Sequence, residues 1–214
     1  MTHKDLRSLR KEYQMDGLHE SNASSDPLKL FGQWLDQAIA AGLSEPNAMT
    51  LATVDADGKP TARIVLLKEI LHGDFLFYTN YESDKARDIE ANPHASLVFL
   101  WLEQQRQVRV NGLVEKVSAR TSDAYFAVRP RASQAGAIVS PQSRVIPNRE
   151  SLEDAYTDFL EKAKGLELQR PDHWGGYALT PHKIEFWQGR ESRLHDRLLY
   201  TREGKLWTRI RLAP

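Results

Sequence analysis

The chain carries one decisive stretch near its C-terminus, EFWQGRESRLHDR, at residues 185–197. It holds two aromatic residues, four potential cations and three carboxylates. Burying unpaired charge costs several kcal/mol, so this density of charge does not suit a core strand. The aromatic residues do not suit an ordinary solvated loop. A surface hairpin with an exposed salt-bridge network is the alternative, but the run as a whole favours a functional site.

The side chains of this stretch offer complementary chemistry. Trp187 presents a flat π surface, and Arg193 and Arg197 present forked donors that suit anions and planar rings. His195 can exchange a proton near neutral pH. For a lone Arg or His, a structural ion pair would be the better interpretation.

Length and composition limit the class of protein. A chain of 214 residues is ordinary for one β-rich domain and needs no disulfide to bury its core. It has no cysteine, which excludes disulfides, thiolate metal sites and cysteine nucleophiles and fits a reducing compartment. Lysine plus arginine and aspartate plus glutamate balance at 29 each. This balance argues against a general nucleic-acid or membrane binder, so any anion site must be local.

Targeting and metal-site signals are missing from the sequence. The N-terminal residues 1–26 have no apolar core of a signal peptide. The longest apolar runs, residues 64–67 and 97–102, are far shorter than the ~20 residues that span a bilayer. The seven histidines show no zinc spacing, and no Walker, Rossmann or Gly-x-Ser-x-Gly motif is present. We therefore expect a cytoplasmic protein without a bound metal.

Periodicity and turn signals predict an α+β protein. Residues 1–25 are predicted to form a flexible N-terminal arm, and residues 26–214 a single domain. Asp26 and Pro27 predict the N-cap and first turn of a helix that stops at Gly42. Further helices are predicted over residues 83–91, 122–128 and 151–164. Strands are predicted over residues 49–54, 62–68, 75–79, 95–101, 107–117, 177–180, 183–188, 197–201 and 205–210, which together favour a closed or nearly closed antiparallel barrel.

Cations on predicted strands and helix ends are the candidate ligands for an anion. Strand alternation places Arg63, Val65 and Leu67 on one face, with Ile64, Leu66 and Lys68 on the other. Taken alone, these cations are better interpreted as reaching solvent.

A second candidate lies where the strand that ends at Tyr78 and Thr79 is followed by Ser83 and Lys85. A helix N-terminus with a hydroxyl and a lysine can bind an anion, although a plain capped helix is the more common case.

A third group, Tyr125, Arg129 and Ser133, is spaced at i, i+4 and i+8. On one helical face these side chains would suit a phosphate monoester, although Pro130 must bend or end the helix. A helix end whose arginine satisfies the dipole is an equally good interpretation. Gln107, Gln142 and Ser143 are uninformative by themselves.

Together these residues resemble the motifs of one family, in the right order. The FWQG sequence at residues 186–189, followed by RLHDR at 193–197, is similar to the C-terminal signature of the pyridoxine/pyridoxamine 5'-phosphate oxidases. These are enzymes that use FMN to make pyridoxal 5'-phosphate. LRKEY at residues 9–13, RLAP at residues 211–214 and the candidates described above also match, so the resemblance covers nearly the whole chain.

The resemblance implies a homodimer of split antiparallel β-barrels with two FMN sites at the subunit interface. Arg63 and Lys85 would hold the FMN phosphate. The rest of the cofactor would be lined by Ile64, Val65, Leu66, Leu67, Lys68, Tyr78, Thr79, Gln107, Gln142, Ser143, Trp187 and Arg197. The substrate phosphate would be held by Lys68, Tyr125, Arg129 and Ser133.

The resemblance also implies the chemistry. A hydride would leave C4' of pyridoxine or pyridoxamine 5'-phosphate for flavin N5, and O2 would reoxidise the flavin and give H2O2. Arg193 and His195, with Leu194 between them, would lie over the substrate ring as the catalytic pair. Arg193 would orient and stabilise the substrate, because an arginine rarely releases its proton. Arg10 and Tyr13 would belong to a lid that closes on the substrate.

Asp84 departs from the family pattern. The family usually has an arginine immediately before the lysine of the helix that meets the FMN phosphate. Unit charges about 4 Å apart interact by ~4 kcal/mol at an effective dielectric of ~20. We therefore expect weaker FMN retention than with arginine at this position, although Asp84 could turn outward and stabilise the helix N-terminus.

Two alternative functions remain open at the level of sequence. A flavin oxidase of the same fold could act on another aromatic substrate, such as a phenazine precursor. A non-catalytic carrier or sensor could bind FMN or pyridoxal phosphate.

Overall fold

The computed structural model describes Tyr13 and residues 17–214. The candidate lid residue Arg10 and most of the predicted N-terminal arm lie outside the described residues. Within the described part of the arm, Leu18 is buried, and its backbone N–H donates to the Asp196 carboxylate at 3.0 Å. The Arg211 guanidinium donates two hydrogen bonds of 2.7 Å to the Glu20 carboxylate, so residues 18–20 are fixed against the C-terminal strands.

The structure is a mixed α+β fold with five helices and nine strands in the described part of the chain. The helices are α1 (Pro27–Ala40), α2 (Asp84–Ala91), α3 (Ala119–Ala127), α4 (Arg131–Val139) and α5 (Arg149–Lys162). The strands are β1 (Ala48–Val54), β2 (Pro60–Leu66), β3 (Glu69–Leu71), β4 (Asp74–Asn80), β5 (His94–Trp101), β6 (Arg106–Lys116), β7 (Trp174–Gln188), β8 (Asp196–Glu203) and β9 (Leu206–Leu212). None of the helices in the described residues is long and apolar enough to cross a membrane.

The described residues form two compact units. The central unit comprises residues 48–97 and 111–181, and the terminal unit comprises the described residues before Ala48 together with residues 98–110 and 182–214. Strands β5, β6 and β7 each contribute residues to both units.

In the central unit the strands follow the order β2-β1-β5-β6-β7-β4-β3. Strands β1 and β2 pair antiparallel from Ala48↔Leu66 to Val54↔Pro60, so the turn at residues 55–59 sets their register. Met49 is the only methionine among the described residues. It points into this core and is 1% exposed. Helices α3 to α5 cover a smaller apolar cluster around Phe126 and Trp174.

In the terminal unit, α1 packs its aromatic face onto strand residues. Phe31 contacts Phe99 and Trp34 contacts Phe186 edge-on, with ring centroids 4.8 Å and 5.2 Å apart. The second part of β7 pairs with β8 from Lys183↔Thr201 to Gln188↔Asp196, and β8 pairs with β9.

The capping signals of α1 are confirmed. The Asp26 carboxylate accepts from the Leu28 backbone N–H at 2.9 Å, Pro27 occupies the first turn, and Gly42 follows the helix with φ of 69°. By contrast, Ser83 precedes α2 as expected but makes no side-chain cap bond, because its hydroxyl donates to the Asn80 carbonyl at 2.7 Å.

Several elements differ from the sequence predictions. The separate strands predicted at 177–180 and 183–188 are one strand, β7. Pro181, which has no N–H, lies between the segment paired with β4 and the segment paired with β8. Helix α3 begins at Ala119 rather than residue 122, because Ser118 accepts from the Thr121 N–H at 3.1 Å. Helix α4 and the short strand β3 were not predicted.

Candidate active site

A cavity of about 610 Å³ opens in the central unit. Its volume falls within the range of about 300–1,000 Å³ that is usual for small-molecule sites. Most of the site residues predicted in this part of the chain line it, namely Arg63, Ile64, Val65, Leu66, Lys68, Tyr78, Thr79, Lys85, Tyr125, Arg129, Ser133 and Gln142. The three groups of residues that were ambiguous one by one are therefore walls of a single cavity.

The cavity is strongly cationic. Arg63, Lys68, Lys85 and Arg129 line it, and no aspartate or glutamate is found among the described residues of the lining. Four cations without a lining carboxylate create a field that suits an anion, and phosphate groups in particular.

Lys85 enters the cavity from the first turn of α2. Its Nζ donates to Gln142 Oε1 at 2.9 Å and to the hydroxyls of Thr79 and Ser83 at 3.2 Å each. Burial and, to a lesser degree, the neighbouring Arg63 lower the pKa of Lys85 to about 8. A bound anion would offset both effects and keep Lys85 charged to higher pH.

Asp84 points away from this cluster. Its carboxylate pairs with Arg87 one turn along α2, and its backbone N–H donates to the Ser143 hydroxyl at 3.2 Å. The Asp84 side chain is 65% exposed and does not line the cavity. The outward orientation, which was one of the two sequence alternatives, is the one observed.

Arg129 is held by aromatic rings rather than by acids. Its guanidinium carbon lies 4.4 Å from the centroid of the Trp174 ring. Burial lowers the pKa of Arg129, and its Nη1 is buried with no hydrogen-bond partner among the described residues. An unsatisfied buried donor is costly, so the arrangement fits an anionic ligand that accepts from Nη1.

The wall beside Arg129 is a stack of three rings. Tyr78 stacks on Tyr125 with centroids 3.9 Å apart and on Trp174 with centroids 5.7 Å apart. Gly176 lies opposite Tyr78 in the β4–β7 register, and a Cβ there would stand 2.7 Å from the Tyr78 ring. The absence of a side chain at Gly176 thus leaves room for the Tyr78 ring.

Tyr125, Arg129 and Ser133 converge without sharing one helix. Helix α3 ends at Ala127, and α4 begins at Arg131 after Pro130. Ser133 therefore belongs to the first turn of α4, where its N–H donates to the Pro130 carbonyl at 2.8 Å. The proline break, rather than continuous helical spacing, brings the three residues to the same cavity.

Within the central unit, two predicted cofactor residues do not line the cavity. Leu67 is buried, with 5% of its surface exposed. Ser143 is exposed with a left-handed backbone, φ 69°, and contacts the start of α2.

The remaining predicted site residues belong to the terminal unit. Tyr13, Trp187 and His195 form an aromatic cluster, with the His195 ring 4.7 Å from Trp187 and 5.5 Å from Tyr13. His195 Nδ1 accepts from the Arg190 backbone N–H at 3.1 Å. Burial, and then the charge of Arg193, lower the pKa of His195, so the neutral imidazole is favoured.

Arg193 and Leu194 are exposed on the turn that precedes β8. Ser192 and Arg193 adopt left-handed backbone conformations, with φ of 54° and 61°. Such conformations cost of order 1–3 kcal/mol for residues other than glycine and often occur at functional sites.

Arg197 is anchored by a buried carboxylate. Glu185, 5% exposed, accepts from Arg197 Nε at 2.9 Å and from Arg109 Nη2 at 2.5 Å. The hydrogen bond to Glu185 raises the pKa of Arg197. Gln107 is half-buried on β6 of the same unit.

Sequence reasoning missed Trp174, Val128 and Pro130 as lining residues of the cavity, and it missed Glu185 as the anchor of Arg197. A tryptophan beside two glycines at residues 174–176 was the available signal for the first. Among the described residues, no group of three or more histidine or acidic side chains is placed to hold a metal.

Two family models match the chain. Residues 35–162 match pyridoxamine 5'-phosphate oxidase, and residues 174–214 match the pyridoxine 5'-phosphate oxidase C-terminal dimerisation region. The chain belongs to the pyridoxine/pyridoxamine 5'-phosphate oxidase family. Membership confirms the predicted split-barrel, α+β fold class.

Relatives of known name support the family assignment over the full length. The chain is 53% identical over 211 residues to the pyridoxine/pyridoxamine 5'-phosphate oxidase of Rubrobacter xylanophilus, covering 99% of this chain and 97% of that protein. The oxidase of Pseudomonas paraeruginosa is also 53% identical over 211 residues, with 98% of each chain covered.

Two solved structures have the same fold. PhzG from Burkholderia lata 383, in complex with tetrahydrophenazine-1-carboxylic acid, superposes with a TM-score of 0.88 at 31% identity, covering 94% of this chain and 99% of PhzG. A pyridoxamine 5'-phosphate oxidase-related, FMN binding protein from Nostoc punctiforme superposes with a TM-score of 0.75 at 19% identity, covering 89% of this chain and 100% of that one, which shows the fold alone.

Proposed function

We propose that this member of the oxidase family converts pyridoxine 5'-phosphate and pyridoxamine 5'-phosphate to pyridoxal 5'-phosphate, with FMN as cofactor, O2 as electron acceptor and H2O2 as product. The observation that carries the proposal is the cationic cavity with the unsatisfied Arg129 Nη1 on its wall. Full-length relatives at 53% identity carry the corresponding name.

The FMN phosphate is assigned to the end of the cavity formed by Arg63 and Lys85. Lys85 already contacts three oxygen acceptors there, and a bound anion would keep it charged to higher pH. The mostly apolar strand segment Ile64, Val65 and Leu66, with the stacked ring of Tyr78, suits the planar flavin.

The substrate phosphate is assigned to Lys68, Tyr125, Arg129 and Ser133. Two cations and two hydroxyls match the charge and the acceptor oxygens of a phosphate monoester. Arg129 needs no rearrangement, because Trp174 already holds its guanidinium and one N–H donor is unpaired among the described residues.

Bound FMN supplies the redox chemistry, which is acceptance of a hydride from C4' and transfer of two electrons to O2. The residues of this chain bind and orient the substrate. A ring nitrogen that accepts a hydrogen bond carries no proton, so neutral His195 holds its proton on Nε2. His195 is therefore a hydrogen-bond donor through Nε2, and Arg193 is a fixed positive charge beside it.

The functional assembly is assigned as a homodimer. The match at residues 174–214 is to a region named for dimerisation. It contains Trp187, Arg193, His195 and Arg197, so the predicted catalytic residues lie within that region.

A phenazine precursor is the second candidate substrate, because PhzG matches with a TM-score of 0.88. The higher identity of the full-length oxidases, 53% against 31%, favours the B6 phosphates.

Turnover of purified protein with FMN and pyridoxine 5'-phosphate in air tests the proposal. We expect the aldehyde product, seen as its Schiff base in an amine buffer, together with peroxide. Bleaching of bound flavin by the substrate without oxygen separates an enzyme from a carrier. Equal turnover of unphosphorylated pyridoxine would contradict the assigned phosphate site, and flavin binding without bleaching would contradict an oxidase.

A further inference from the structure

A buried carboxylate, Asp88, lies behind one of the cations of the cavity. It is 8% exposed and follows Lys85 by three residues on α2. Its Oδ2 accepts from the hydroxyls of Thr53 at 2.6 Å and Thr61 at 2.7 Å, and from Arg63 Nη2 at 3.4 Å. Asp88 is absent from the cavity lining, so no role in the proposed chemistry uses it directly.

The register of β1 and β2 builds the rest of this network. Thr53 lies opposite Thr61, and Leu51 lies opposite Arg63. Residues two apart on a strand share a face, so Thr61 and Arg63 both face α2 and Asp88. Each hydroxyl accepts from Arg63 at 2.6 Å and donates to Asp88, so it relays the carboxylate charge to the guanidinium.

The network occupies the terminal donors of Arg63. Nη1 contacts the Leu51 carbonyl at 3.2 Å and the Thr53 hydroxyl, while Nη2 contacts the Thr61 hydroxyl and Asp88. Nε has no hydrogen-bond partner among the described residues. Arg63 nevertheless lines the cavity, so its charge and its Nε–H are what it can offer to an anion.

Asp88 is charged in this setting. Burial by itself raises the pKa of Asp88, but the hydrogen bonds from Thr53 and Thr61 and the charge of Arg63 outweigh burial and lower that pKa. The carboxylate also offsets repulsion between the two cations at this end of the cavity, because Arg63 lowers the pKa of Lys85 whereas Asp88 raises it.

We propose that Asp88 is a positioning residue, which acts through Thr53 and Thr61 to hold the Arg63 guanidinium where its charge and Nε–H meet the flavin phosphate. This rests on the proposed function in one respect, namely that FMN binds in the cavity. The hydroxyl relay fixes the orientation of Arg63, and the carboxylate supplies the charge that keeps the relay polarised.

The test compares two flavins that differ only in the phosphate. Dissociation constants of FMN and riboflavin are measured by flavin fluorescence on the full-length chain freed of flavin. For Asp88→Asn, loss of a charge-assisted network predicts FMN binding weaker by about tenfold or more, with riboflavin affinity within about twofold of wild type. Glu90→Gln, the same change at an exposed position of α2, is the matched control and should alter neither constant.

The outcomes separate two questions, namely whether Asp88 positions Arg63 and whether the flavin phosphate is assigned to the right site. Equal weakening for both flavins would mean that Asp88 only maintains the fold, and unchanged or tighter FMN binding would mean that it does not position Arg63. Either result overturns the inference. Wild-type protein that binds riboflavin as tightly as FMN would instead overturn the assigned phosphate site.

A second variant tests the inference if Asp88→Asn fails to fold. Thr61→Val removes one hydroxyl of the relay at an exposed residue and keeps the side-chain shape. We expect FMN binding to weaken by about threefold, again without a matching loss for riboflavin, because one neutral hydrogen bond contributes about 1 kcal/mol. Parallel loss for both flavins would count against the relay.

Discussion

The central cavity and the 185–197 run both concentrate arginines, but they treat their charges differently. In the run, Arg197 pairs with buried Glu185, and the Asp196 carboxylate accepts from Arg211 at 2.6 Å. In the cavity, Arg129 rests on Trp174 and one buried donor has no partner among the described residues. Arg197, neutralised within the chain, sets geometry, whereas Arg129, left without an acid, is placed to attract an anionic ligand.

The largest effect is expected when the unneutralised cation is removed. Arg129→Ala should raise KM for pyridoxine 5'-phosphate about a hundredfold, about 3 kcal/mol, because a buried charged contact is lost. The kcat should change much less, since the substrate ring is oriented elsewhere. Steady-state kinetics measure both constants, and exposed Arg149→Ala is the control. A fall in kcat with an unchanged KM would place Arg129 in the chemical step instead.

Within the run, His195→Asn should lower kcat by about thirtyfold. This effect is smaller than is usual for acid–base groups, because His195 acts here as a hydrogen-bond donor. Burial and Arg193 lower the pKa of His195, so the neutral imidazole persists to lower pH than in an unperturbed histidine. Wild-type activity should therefore fall on the acid side as His195 gains a proton, and the variant should lack that acid limb. Full turnover with an unchanged pH profile in the variant would exclude any catalytic part for His195.

Lys85 gives the cationic cavity a pH dependence that can be tested. Because its pKa is about 8, free protein loses the ammonium as pH rises past that value. An anion binds the charged form, so FMN affinity should fall as pH rises, by about tenfold between pH 7 and pH 9 for one linked proton. Lys85→Arg should remove this dependence, because arginine stays charged. Titrations across this range that show the same slope for both proteins would contradict the assignment.

The smallest effect is expected at Asp84. Its carboxylate is exposed and paired with Arg87, so Asp84→Arg should tighten FMN binding by only about threefold, the scale of a screened surface charge. The dissociation constant of FMN measures it, and Glu82→Arg, at a neighbouring exposed residue, controls for general charge. No change at all would show that the departure from the family pattern is tolerated without cost.

Local signals in the sequence predicted much of the fold. Asp26 and Gly42 mark the ends of α1 because caps depend only on neighbouring residues. The break at Pro130 was also visible, but its result was not, since a second helix follows at once and carries Ser133 back to the cavity. The strands predicted separately at 177–180 and 183–188 are one strand, because a long strand tolerates Pro181 between its two pairing partners.

The candidate site could be predicted better from the family resemblance than from the individual residues. Arg63, Lys85 and Arg129 were each better explained, or equally well explained, by ordinary surface roles until the fold brought them to one cavity. The roles of Trp174 and Asp88 were not predicted, because they depend on strand register and helix packing across many residues of sequence. Long-range contacts of this kind are set by tertiary structure and not by local pattern.

The absence of cysteine affects how easily peroxide can damage the protein. An oxidase of the proposed type releases hydrogen peroxide in its own cavity, and thiolates and exposed methionines are the side chains that peroxide damages most readily. This chain has no thiol, and Met49 is shielded with 1% of its surface exposed. Among the described residues, the protein therefore exposes almost no sulfur to its own by-product.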